Sequence, residues 1–157
     1  MKTILIGLGN PILGDDGVGW KVAEEISRME LFKSKSVEVD CLSVGGLTLM
    51  ERLVGYNRAI LVDALQTGEH PLGSVILIRL EDLPDHIAGH MTSVHDVNLK
   101  TALQLGREMG AQLPEQIYVV GIEAQHVYDI SEDLSPIILS AVPNAIQYVC
   151  KLLQTVG

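Results

Sequence analysis

The chain has 157 residues, 47% of them hydrophobic and 20% charged, and carries a formal net charge of −9 at pH 7. That length suits one domain, 1–157, with a substantial core, and 11 Lys and Arg against 20 Asp and Glu leave no basic footprint for nucleic acid. No apolar run approaches the roughly 20 residues of a membrane span, and the apolar start Met1 to Ile6 is too short for a signal-peptide core.

In chain order, residues 2–7 form a nearly continuous apolar run, as expected of a strand buried on both faces. The stretch Gly7-Leu8-Gly9-Asn10-Pro11-Ile12-Leu13-Gly14-Asp15-Asp16-Gly17-Val18-Gly19 follows as a strand-to-helix turn, its glycines permitting tight bends and close approaches. Residues 17–29 repeat at helical spacing (Val18, Val22, Ile26 apolar; Lys21, Glu24, Glu25, Arg28 polar) and predict an amphipathic helix. Residues 36–42 alternate as a less buried strand, 43–46 turn, and 47–54 form a short helix. Residues 58–64 read as a second fully buried strand ending in Asp63-Ala64.

Residues 74–80 are a further strand. They follow the 67–73 turn so closely that an antiparallel hairpin with the preceding strand is expected. A polar loop over 81–94 carries His86 and His90, and a helix is predicted over 95–109, opening at His95. Residues 116–123 supply the last strand. Ser135-Pro136 has the form of an N-cap and first-turn pair for a final helix to about Leu153, with a kink at Pro143. Strands alternating with helices imply a three-layer α/β/α sandwich around a mostly parallel twisted sheet of about five strands, one of them antiparallel. Cys41 and Cys150 make neither a CxxC pair nor a disulfide framework, which fits a reducing, cytoplasmic setting, and each reads as a small hydrophobe.

Asp16 and Asp63 both fall at the carboxyl ends of predicted strands, where ligands bind in open α/β sheets. Either acid alone reads as a cap or turn residue. With His95 they offer two oxygen donors and one nitrogen, a set suited to a borderline divalent cation with positions left open. Asp15 and Asp96 stand beside these residues as supporting groups. The chain has no GxSxG elbow, HExxH or Walker A loop, and Ile12 stands where a dinucleotide fingerprint needs its third glycine.

These residues carry a resemblance. Gly7-x-Gly9-Asn10-Pro11 through Asp15-Asp16-Gly17-Val18-Gly19, then Val62-Asp63-Ala64, then Ser93-Val94-His95-Asp96, resemble the nickel–iron hydrogenase maturation proteases. The similarity extends through Val119-Val120-Gly121-Ile122-Glu123 and Leu134-Ser135-Pro136. It implies an aspartic-type endopeptidase that activates a hydrogenase by removing the C-terminal extension of the nickel-loaded large-subunit precursor. Nickel(II), presented by the substrate, would be the recognition element, and Asp16, Asp63 and His95 would be both the metal ligands and the catalytic set. The implied partner is that precursor, with no nucleic acid or membrane, and the implied state is a monomer or weak oligomer. Many members carry Asp-Gly-Gly-Thr after the second strand; here Ser43-Val44-Gly45-Gly46-Leu47-Thr48 lacks the acid, which bears on the hydrogenase subgroup served. Gly7-Leu8-Gly9-Asn10-Pro11 also resembles the opening of peptidyl-tRNA hydrolase, an α/β esterase, although Ile12, Asp16-Gly17 and the acidic composition depart from that family. A non-catalytic nickel-binding maturation factor would use the same three residues.

Overall fold

The computed structural model describes residues 1–33, 36–92, 97–125 and 127–155. Strands β1 (Thr3–Leu8), β2 (Val37–Leu42), β3 (Arg58–Leu65), β4 (Val75–Arg79) and β5 (Gln116–Glu123) form one five-stranded sheet in the order β2-β1-β3-β5-β4. The first four in that order run parallel, and β4 is antiparallel to β5. Helices α1 (Val18–Ser27) and α5 (Pro136–Gln154) cover one face, α3 (Gly46–Arg52) and α4 (Leu99–Glu108) the other, and the short α2 (Glu30–Lys33) follows α1. The three-layer sandwich expected from the strand and helix alternation is therefore present.

The pleat divides the apolar residues between two cores. On β3, Ile60, Val62 and Ala64 face α1 and α5, packing with Val18, Val22, Ile138 and Val142. Ala59, Leu61 and Leu65 face the opposite layer with Leu49, Leu53, Leu99 and Leu103. Asp63 has the parity of that second set, so a carboxylate stands in an otherwise apolar row.

Three expectations need correction. Strand β4 pairs with β5 and not with β3. Both edges of β3 are already taken, by β1 and by β5, so the strand that follows the turn joins elsewhere, at the far side of β5. Asp63 does not end its strand, because β3 continues to Leu65 with Asp63 opposite Gly121. Helix α4 begins at Leu99, not at His95. Asn98 takes extended backbone angles and its side-chain oxygen accepts the Lys100 N–H at 2.8 Å, making Asn98 the N-cap.

Helix α5 starts with Pro136 in its first turn, as expected, and continues past Pro143 to Gln154. It has 19 residues and a mean hydropathy of 1.3 over its most apolar window, so by length and composition it could cross a membrane, against the expectation that no run would. Its stripe of Ile138, Ala141, Val142, Ala145, Val149 and Leu152 is buried in the core instead. The other end of α5 is tied down by a buried cation. The Arg58 guanidinium, only 4% exposed, donates to the carbonyls of Leu152 (2.8 Å) and Thr155 (3.1 Å) and to Thr3 Oγ1 (3.2 Å). These carbonyls close the C-terminal end of the helix, where the Leu152 carbonyl also accepts the Thr155 N–H (3.3 Å) and hydroxyl (2.7 Å). Arg58→Met should therefore lower the unfolding free energy by about 1–3 kcal/mol, read as a shifted urea midpoint; an unchanged midpoint would show that water replaces the guanidinium at no cost.

Candidate active site

The chain leaves β1 for β2 on one side and for β3 on the other, so the sheet order reverses between β1 and β3. A crevice opens outside the carboxyl ends of strands at such a point. Here it is a cleft of about 480 Å³ whose lining includes Asn10, Asp16, Ser43, Gln66 and His90.

The turn after β1 builds one wall. Gly9 has φ +145°, and a Cβ there would lie 2.0 Å from the Asp16 carbonyl oxygen, so only glycine lets the 3-10 turn Gly14–Gly17 fold back this tightly. That fold brings Asp16 Oδ2 to the backbone N–H of Asn10 at 2.8 Å. The tandem acids then part. Asp16 turns toward the cleft. Asp15 turns away and accepts both the Ser135 N–H (2.7 Å) and the Ser135 hydroxyl (2.8 Å), anchoring the start of α5. Asp15 is thus a long-range cap and not a supporting group for the site, and Ser135 spends its side chain on Asp15 instead of on its own helix.

Asp63 is fully buried on β3. Its partner arrives from the polar loop, which is pinned by the Gln66–Ala88 bridge and the Gln66 N–H to Ala88 carbonyl bond of 3.1 Å. Gly89 passes so close that a Cβ would meet Leu65 Cδ2 at 2.8 Å and Asp63 Oδ2 at 3.1 Å. His90 follows and opens a short 3-10 turn. Its backbone N–H donates to Asp63 Oδ2 at 2.8 Å and its Nδ1 lies 2.9 Å from Asp63 Oδ1. Its Nε2 is 3.4 Å from Asp16 Oδ2. Among the described residues, donor atoms of Asp16, Asp63 and His90 all lie within 4.8 Å of one another.

The structure therefore brings Asp16 and Asp63 together, as the sequence led one to expect, and sets His90 between them. His95, the imidazole singled out from the sequence, lies outside the described residues, as does Asp96. His86 is exposed on the cleft lining. No local sequence signal marks His90 over His86, since its position follows from the long-range pairing of Gln66 with Ala88. Cys41 offers no competing nucleophile: burial pushes its thiol up to about 11, and its Sγ points to the Trp20 carbonyl at 3.9 Å.

The electrostatics follow from the geometry. Burial disfavours a charged imidazole, but hydrogen bonds and charge from Asp16 and Asp63 outweigh it and raise His90 from 6.5 to about 10. Burial also raises Asp63, opposed by its bonds to His90. The two acids thus favour the imidazolium form of His90, which faces one of them at each ring nitrogen. Two acids and one imidazole can bind a divalent cation, and here both nitrogens of His90 face oxygens of the two acids.

One consequence is a pH-dependent stability. The folded chain keeps a proton on His90 that the unfolded chain releases near 6.5, so the stabilisation is complete below that value and is lost as pH rises toward about 10. The melting temperature of the metal-free protein should fall across that window, and His90→Ala should flatten the decline. An equal decline in both proteins would mean that another group titrates.

The architecture matches known structures. The hydrogenase-maturating endopeptidase HybD of Escherichia coli superposes with a TM-score of 0.77 at 22% identity, over 98% of this chain and 93% of that one. The maturation protease HybD of Thermococcus kodakarensis gives 0.69 at 24% identity, over 97% and 99%. In sequence, the chain is 25% identical over 155 residues to the hydrogenase expression/formation protein HoxM of Cupriavidus necator, which covers 99% of this chain and 75% of that protein. The family model HycI, described as hydrogenase maturation protease, matches residues 20–152, and on that match the chain belongs to the hydrogenase maturation protease family.

Proposed function

We propose that this protease removes the C-terminal extension of a nickel-loaded [NiFe]-hydrogenase large-subunit precursor, with the nickel as recognition element. The observation that supports this reading is the convergence of the Asp16 and Asp63 carboxylates, with the His90 ring between them, at the sheet's switch point. Two carboxylate oxygens and one nitrogen suit a borderline divalent ion and leave coordination positions for ligands the precursor brings. The ion belongs to the substrate and gives the site a charge to recognise.

This chain supplies the rest. Asp16 and Asp63 provide negative charge, held in place by the Asn10 N–H and by the buried wall of β3. In the metal-free protein the His90 imidazolium neutralises part of that charge and braces the two acids. The nitrogen donor we propose for the ion is His95, the position matched by Ser93-Val94-His95-Asp96 in the family resemblance. The peptide next to the nickel is thereby held in the cleft, and positioning of this kind accounts for a large share of hydrolytic catalysis.

The esterase reading is opposed by the acidic chain, and the carrier reading by the family to which the chain belongs. One comparison separates all three. Given both substrates, the protein should shorten the nickel-loaded precursor and leave peptidyl-tRNA intact. Release of the peptide from tRNA would favour the esterase, and nickel binding without any shortening would favour the carrier.

A further inference from the structure

We infer that Asn10 is a catalytic residue whose side-chain amide donates to the carbonyl oxygen of the peptide bond being cleaved. The inference rests on the proposed peptide hydrolysis at this site and adds a residue to it. Asn10 lines the same cleft as Asp16 and His90 and is partly buried there. Two bonds fix its orientation. Its backbone N–H donates to Asp16 Oδ2 at 2.8 Å, and its side-chain oxygen accepts the Ile12 N–H at 3.2 Å. With Oδ1 spent on the turn, the end of the side chain left over is the NH₂, which makes no hydrogen bond to any of the described residues. An amide nitrogen held by its own turn on the cleft lining, with no partner among the described residues, is a preorganised donor.

Negative charge dominates the centre of this site among the described residues. Both Asp16 and Asp63 accept hydrogen bonds, and His90 is saturated by them. In hydrolysis the water oxygen bonds to the carbonyl carbon and the C=O electron pair moves onto oxygen. The C–N bond then breaks, and the proton lost by the water ends on the leaving amine nitrogen. Negative charge develops on the carbonyl oxygen, and in a cleft lined by carboxylates that oxygen needs a donor. The Asn10 NH₂ supplies one without bringing in a charge that would compete with nickel for Asp16.

The test compares wild-type protein with Asn10→Ala and Asn10→Ser in cleavage of nickel-loaded precursor. Serine can still accept the Ile12 N–H across the same turn, so the turn survives while the long amide donor is removed. In both variants kcat should fall by roughly 10²–10³-fold, the range for losing one oxyanion donor. KM and nickel affinity should stay within about threefold, because uniform binding is untouched. A kcat within about threefold of wild type in Asn10→Ser, or a loss confined to KM or nickel affinity, would overturn the assignment and leave Asn10 a turn residue. Failure of the wild-type protein to cleave the precursor would instead overturn the proposed function, and this inference with it.

Discussion

Asp63→Asn and Asp16→Asn each reduce processing of nickel-loaded precursor by roughly 10²-fold or more, the scale of a group on which the reacting assembly depends directly. Asparagine keeps the volume of the side chain; at position 16 its oxygen can still accept the Asn10 N–H, and at position 63 it can keep one of the two contacts with His90. The fold should therefore survive, with far-ultraviolet circular dichroism unchanged. What disappears is the charge. At Asp63 the loss is the more severe, because the residue is fully buried and no water can stand in for the missing oxygen anion. Asp16, 7% exposed, is nearer solvent and should retain more residual activity. Normal processing by either variant would reduce that carboxylate to a turn or packing residue.

The second large effect separates the two histidines. His95→Ala should abolish processing and weaken nickel-dependent capture of the precursor. His90→Ala should cost only about tenfold, as expected of a group that orients ligands rather than binding the ion itself. The reason is geometric. His90 meets Asp63 through Nδ1 and Asp16 through Nε2, so it braces both acids without being the proposed nitrogen donor. Removing it takes away the proton it holds between the acids, so capture of nickel-loaded precursor should lose whatever dependence on pH between 6.5 and about 10 that proton causes. In wild-type protein that proton should be seen in calorimetric titrations run in buffers of different ionisation enthalpy. The opposite pattern, with His95→Ala normal and His90→Ala inactive, would make His90 the nitrogen donor.

Much of this molecule is legible in its sequence because the sheet is buried on both sides. Continuous apolar runs such as Ile4-Leu5-Ile6 and Ile60-Leu61-Val62 have no other stable location, and the acids that follow them fall at the carboxyl edge by topology alone. The remainder depended on contacts distant in sequence. Proximity to the 67–73 turn suggested that β4 pairs with β3, but strand pairing is decided by which edge is vacant, and that edge is made by a strand some 40 residues later. The start of α4 looked like His95 because the apolar pattern begins nearby, whereas Asn98 caps the helix through its side chain. Asp15 and Asp16 are adjacent in sequence yet serve different parts of the molecule, because a 3-10 turn directs neighbouring side chains apart: one to Ser135, 120 residues away, the other to the cleft. The same limit applies to His90, whose place between two acids depends on the register of Gln66 against Ala88.

The role of nickel as the recognition element is tested most directly by giving the purified protein equal amounts of nickel-loaded and nickel-free hydrogenase large-subunit precursor and following the intact mass of each. Only the nickel-loaded precursor should lose its C-terminal peptide, and the Asp63→Asn protein should leave both intact. Equal shortening of the two precursors by the wild-type protein would contradict a site in which Asp16 and Asp63 recognise a metal ion brought by the substrate.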